Sequence, residues 1–159
     1  MVGVGGYRYF VAAAQAQQAL TDVPVVSLPH APAWIAGLAL VGQRAVGVLD
    51  LGRFLGVARA LPGPWLQPDE HLNCAWVLRV HRLEAVEVSV SVQPWLQAAD
   101  DVTDPSDGGS AWSGIASRRR PPFCSALACW SDEGGQACQA DVLDLRALLR
   151  HPRVVDFQS

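Results

Sequence analysis

A ten-residue pattern occurs twice in this chain. GVLDLGRFLG at 47–56 is echoed by DVLDLRALLR at 141–150. Each copy runs a strand-like apolar segment, then Asp, Leu, two further residues and two large apolar residues. An aspartate in that place is the type that caps a helix, because its carboxylate accepts from the first unpaired amides. Asp50 and Asp144 are therefore predicted N-caps. Strand, cap and short helix, repeated, predict two related halves, each a small β-unit closed by a helical turn.

The rest of the chain reads mostly as short strands between turn signals. Val2 to Val4, Gly5-Gly6 and Tyr7 to Val11 read as a hairpin. Ala12 to Leu20 is rich in Ala and Gln and reads as a helix. Val23 to Leu28 reads as a strand closed by Pro29. Pro32 opens a short helical turn over Ala33 to Gly37, with Trp34 and Ile35 as its bulk. Leu38 to Val41, the turn Gly42-Gln43 and Arg44 to Leu49 form a second hairpin.

Residues 61–72 contain Pro62, Pro64 and Pro68 and read as a loop. Trp76 to Arg82 and Ala85 to Val92 are the next strands. In the second, Val86, Val88, Val90 and Val92 alternate with Glu87, Ser89 and Ser91, the period of a strand with one buried face. Residues 97–122 read as a long surface loop. Phe123 to Trp130, the turn Asp132 to Gly135 and Gln136 to Leu143 make a last hairpin, followed by a helix to Leu149 and a strand over Val154 to Phe157. The pattern predicts an all-β barrel or sandwich rather than a parallel sheet with crossover helices.

The 159 residues fit one domain, 1–159. Half are hydrophobic and 17% are charged, a composition able to bury a core. A net charge of −3 offers no electrostatic footprint for nucleic acid. No apolar run spans a bilayer, which speaks against direct membrane insertion. MVGVGGYRYF lacks the layout of an export signal, so the expected location is cytoplasmic. All 12 basic residues are Arg. A phosphate-loop lysine and a Schiff-base lysine are thereby excluded.

No catalytic or cofactor motif emerges. Gly3, Gly5 and Gly6 do not match Gly-x-Gly-x-x-Gly and read as a turn. His30, His71, His81 and His151 are scattered. Cys74 could be paired with His71, but no nucleophile-elbow sequence supports such a site. Cys124, Cys129 and Cys138 lack Cys-x-x-Cys spacing. A zinc site with a histidine stands as an alternative to their reading as small apolar strand residues. Arg118, Arg119 and Arg120 are offset by Asp100, Asp101, Asp104 and Asp107 and read as a solvated run.

Residues 28–56 resemble the CheW-like chemotaxis adaptors, most nearly the variants of type IV pilus chemosensory systems. The resemblance is carried by Leu28, Pro29, Pro32, Trp34-Ile35, Gly37-Leu38, Gly42 and Val48-Leu49-Asp50-Leu51. It implies two intertwined small β-barrel subdomains with short helices. It also implies a non-catalytic adaptor that needs no metal or cofactor and couples a methyl-accepting chemoreceptor to a CheA-type histidine kinase, as in pilus-linked twitching. The implied contact residues are Trp34, Ile35, Gly37, Leu38, Leu40, Val41, Gly42 and Arg44. Trp34 has a second reading, as a core plug. The family's Asn-Leu-Arg-Gly hairpin stands here as Ala39-Leu40-Val41-Gly42, so Val41 replaces an arginine tied to coupling. Arg44, on the other arm, is the expected substitute. The alternative class is a small metal-binding or hydrolytic β-barrel using Cys and His.

Overall fold

The computed structural model describes residues 1–57, 63–72, 75–84, 90–94 and 123–156. The strands in chain order are β1 (Val2–Val4), β2 (Tyr7–Phe10), β3 (Ala16–Leu20), β4 (Val25–Val26), β5 (Ile35–Val41), β6 (Arg44–Asp50), β7 (Trp65–Pro68), β8 (Trp76–Arg79), β9 (Arg82–Leu83), β10 (Ser91–Pro94), β11 (Cys124–Ser131) and β12 (Ala137–Leu143). Helix α1 (Leu51–Leu55) follows β6. Helices α2 (Leu145–Leu149) and α3 (Pro152–Val155) follow β12.

Among the described residues the strands form two six-stranded sheets, ordered β4-β5-β6-β8-β7-β3 and β10-β11-β12-β2-β1-β9. The two orders are equivalent strand for strand. In each sheet a long hairpin (β5-β6 or β11-β12) runs parallel to the second arm of a short one (β7-β8 or β1-β2). The difference is where the short hairpin comes from. In the first sheet it follows the helix; in the second it is the N-terminus of the chain. The chain thus starts in one sheet, builds the other and returns, so the halves are intertwined.

The repeat reaches beyond the ten residues visible in sequence. Both long hairpins carry a bulge, at Ile35/Gly37 and at Cys124/Ala126, and both bulges lie opposite the same repeat position, Leu49 and Leu143. The Asp50 amide donates to the Trp34 carbonyl and the Asp144 amide to the Phe123 carbonyl, each at 2.8 Å. Trp34 and Phe123 are thereby equivalent corners. The main core joins the halves: Val2, Val4, Tyr9, Leu127 and Leu143 pack in one cluster with Ile35, Leu49, Leu66 and Leu78. A smaller cluster of Ala39, Val48, Trp65 and Val77 fills the first half alone.

Several expected elements differ. Ala12 to Leu20 is not a helix: Ala13–Gln15 is one 3-10 turn and Ala16–Leu20 is the edge strand β3, paired with β7. Backbone pairing in the sheet and the side-chain bond from Gln18 to Gln67 at 2.8 Å replace what an Ala/Gln helix offers. The expected loop 61–72 holds β7, where Trp65 and Leu66 are buried. Trp76 to Arg82 breaks after Arg79, and Arg82–Leu83 pairs with β1 in the other sheet. Val23 to Leu28 contains only β4. The helical turn over Ala33 to Gly37 is a tight turn from Pro32 to Ile35, after which β5 begins. Val154 to Phe157 starts in helix α3, with Pro152 at its first turn; a fixed φ suits that position. Val92 lies in β10 but is exposed, not on a buried face. Residues 85–89 of the expected strand, and the stretch 97–122 expected as a loop, lie outside the described residues.

Candidate functional site

The β5-β6 hairpin positions the residues singled out from sequence. Its two-residue loop, Gly42-Gln43, closes Val41 onto Arg44, and Gly42 takes φ 61°. A positive φ at that position costs glycine nothing and a β-branched residue a good deal. At the other end Gly37 has φ 146°, and a Cβ there would collide with the Val26 carbonyl. The glycine lets β4 close onto the bulge. Between these glycines β5 alternates: Ala39 and Val41 turn toward the small inner cluster, and Leu38 and Leu40 turn outward.

The contact residues expected from sequence therefore separate into three groups. Trp34 and Ile35 are core residues, 7% and 6% exposed. Trp34 packs edge-on against Phe54 at 5.3 Å, with the Arg153 guanidinium 5.5 Å from its ring centroid. Its place as a corner plug removes it, and Ile35 with it, from any surface. Val41 is half-buried against the inner cluster, because the strand's alternation points it away from Leu40. Leu38 and Leu40 are 40% and 64% exposed, and Arg44 is exposed at the hairpin tip.

One partner was missed. Val26 pairs with Leu38 across β4-β5 and is 71% exposed. Directly paired residues share a face of the sheet, so Val26, Leu38 and Leu40 form one apolar strip. The Val25-Val26 dipeptide marks a strand in sequence, but its register against β5 follows only from the fold. The strip continues inward. Leu38 lies opposite Gly47, and Gly47 opposite Trp76, whose ring occupies the space a Cβ on Gly47 would need. Trp76 belongs to the main core. Apolar surface thus runs from the core onto an open sheet face.

The repeat supplies a control for this exposure. By register, Leu38 opposite Gly47 corresponds to Leu127 opposite Asp141, and Leu40 opposite Ala45 to Cys129 opposite Gln139. Leu127 and Cys129 are buried. The same face of the same hairpin is covered in one half and bare in the other.

No protein-family model and no curated protein sequence matches this chain. Among solved structures, the scaffolding protein TtCheW from Thermoanaerobacter tengcongensis matches with a TM-score of 0.55. The match covers 94% of this chain and 90% of that one at 13% sequence identity. The fold is that of a CheW scaffolding protein.

Cys124 and Cys129 are buried in β11, and Cys138 is half-buried on β12. Burial pushes the Cys129 thiol up, away from the thiolate that a nucleophile needs. Among the described residues no three His, Cys, Asp or Glu side chains form a group able to hold a metal. Cys74 lies outside the described residues. No helix among them is long and apolar enough to cross a membrane.

Proposed function

We propose that this chain, acting as one CheW-like domain over 1–159, is a non-catalytic cytoplasmic adaptor. It links a CheA-type histidine kinase to a methyl-accepting chemoreceptor in a pilus-linked chemosensory system. The observation that carries the docking role is the bare strip of Val26, Leu38 and Leu40: the counterparts of Leu38 and Leu40 in the other half, Leu127 and Cys129, are buried. An open face of this kind, flanked by Arg44 and the hairpin tip, suits an apolar centre with a polar rim. The CheW-type fold supports the reading, since the matching structure is a scaffolding protein.

The kinase is the partner assigned to this strip, with Gly37 and Gly42 holding the backbone that presents it. The bond is mainly apolar and depends weakly on salt, because Val41 cannot make the charged hydrogen bonds of the family's arginine. Coupling of receptor to kinase is correspondingly poor, and Arg44 supplies what remains of it. Leu40→Asp should weaken kinase binding by about 2 kcal/mol or more, the size of an interface hot spot, without unfolding the chain. Unchanged affinity in the folded variant removes the strip from the interface. A reconstituted receptor–kinase–adaptor mixture tests coupling. Val41→Arg should raise kinase activation and Arg44→Ala should lower it; full coupling by wild type that Arg44→Ala leaves intact refutes the assignment.

A further inference from the structure

The second sheet carries a pocket, with charged side chains in its lining, that the docking role does not use. Strand β1 lies between β2 and β9, and Gly3 stands opposite Arg8 on one side and Arg82 on the other. Paired residues share a face, so the two arginines flank a position without a side chain. Neighbouring strands lie about 4.8 Å apart, which sets the two arginine backbones roughly 10 Å from each other. A Cβ on Gly3 would come 3.1 Å from the Arg82 Cβ, so the glycine keeps the notch open. The hollow measures about 310 Å³, and Gly3, Tyr7, Arg8, His81, Arg82 and Glu84 are among the residues lining it.

Its lining holds two guanidinium groups, Arg8 and Arg82, against one carboxylate, Glu84. The Gly5 amide donates to His81 Nδ1 at 2.9 Å, so in the neutral ring the proton sits on Nε2. That Nε2 is buried, so His81 lines the hollow with other ring atoms and the charged side chains of the lining are the arginines and Glu84. Arg8 is exposed and free of any ion pair among the described residues. Arg82 already holds a carboxylate, through Nε to Glu84 at 2.6 Å. The terminal nitrogens of its fork are not engaged in that bond. Donors thus outnumber acceptors around a hollow of small-ligand size.

We propose that this notch is a binding site for a small organic anion bearing a carboxylate or phosphate group. Arg8 and Arg82 clamp the anion over Gly3. The site sits on the β9 side of the second sheet, away from the β4-β5 strip in the first, and stands whether or not the strip binds a kinase.

The test is calorimetric titration of the full chain with succinate and with inorganic phosphate, alone and without any partner protein. Saturable binding of either is expected. Arg8→Ala should weaken it about tenfold, the loss of one charge-assisted hydrogen bond. Gly3→Ala should weaken it by filling the notch, while Arg146→Ala, on α2, should leave it unchanged. In amide-resolved NMR, succinate or phosphate should shift the Gly5 amide, which reports on His81. Absence of saturable binding at millimolar concentration overturns the proposal. So does binding that Arg8→Ala and Arg146→Ala reduce equally, which is nonspecific charge attraction. Binding only of an acidic peptide, with neither small anion, overturns it in favour of a protein partner.

Discussion

Asp50 holds two partners at once. Its Oδ1 accepts from the Arg53 amide at 3.0 Å, capping α1, and its Oδ2 pairs with Arg79 at 2.7 Å. Arg79 stands directly beside it on the parallel strand β8. Asp144 caps α2 through the Arg146 and Ala147 amides, at 2.9 and 3.2 Å. In place of an arginine it has Gln15, just past β2, whose Nε2 donates to Asp144 and whose Oε1 accepts from the Leu145 amide. The two caps are alike locally and unlike in charge. Losing Asp144 removes a cap worth about 1 kcal/mol. Losing Asp50 also leaves the largely buried Arg79 cation unpaired, a defect of about 3 kcal/mol or more. Urea denaturation of Asp50→Ala and Asp144→Ala should show the first clearly less stable. Equal losses would mean that the ion pair adds nothing to the cap.

At the scale of elements, the β4-β5 pairing rests on one backbone position. Gly37 sits where β5 bulges, and its missing Cβ is what permits β4 to approach. Gly37→Ala must both adopt an unfavourable φ and displace the Val26 carbonyl, at an expected cost of about 3 kcal/mol. The damage should be local to the β4 edge: hydrogen-exchange protection should fall at Val25, Val26 and Ala39 and persist in β12. Uniform loss of protection would show that the edge and the core open together. The same scale explains the error at Ala12 to Leu20. Helix propensity is a few tenths of a kcal/mol per residue. An available sheet edge at β7 outweighs it, and no local sequence signal announces that edge.

At the scale of the whole molecule, the two halves meet at their equivalent corners. Phe54 packs against Trp34 of the first corner and Phe123 of the second, with ring centroids at 5.3 and 5.5 Å. His151 stands edge-on to both Phe54 and Phe123, and the Arg153 guanidinium lies 5.0 Å from the Phe54 centroid. Phe54 thus links the two corners. Phe54→Ala should destabilise by about 3–5 kcal/mol, as large-to-small core changes do. Because the main core is continuous across both sheets, unfolding should remain one transition, with far-UV dichroism and tryptophan fluorescence coincident. Two separated transitions in this variant would show that the halves are independently stable.

The sequence by itself determined the strand-rich class, the two caps and the existence of a repeat. Each is a local matter: a turn glycine, a carboxylate beside free amides, and apolar residues at a fixed spacing all act within a few residues. Of the residues marked by the resemblance, Leu38 and Leu40 were found on an open face of the sheet. Trp34 and Val41 were not, since whether an apolar residue plugs a corner or faces water depends on what packs over it. Only the tertiary structure decided that β1-β2 completes the second sheet, that Val26 joins Leu38, and that Leu127 and Cys129 are covered where Leu38 and Leu40 are bare. Those outcomes come from pairings between distant segments, whose energy belongs to neither partner alone and so leaves no mark in either stretch of sequence.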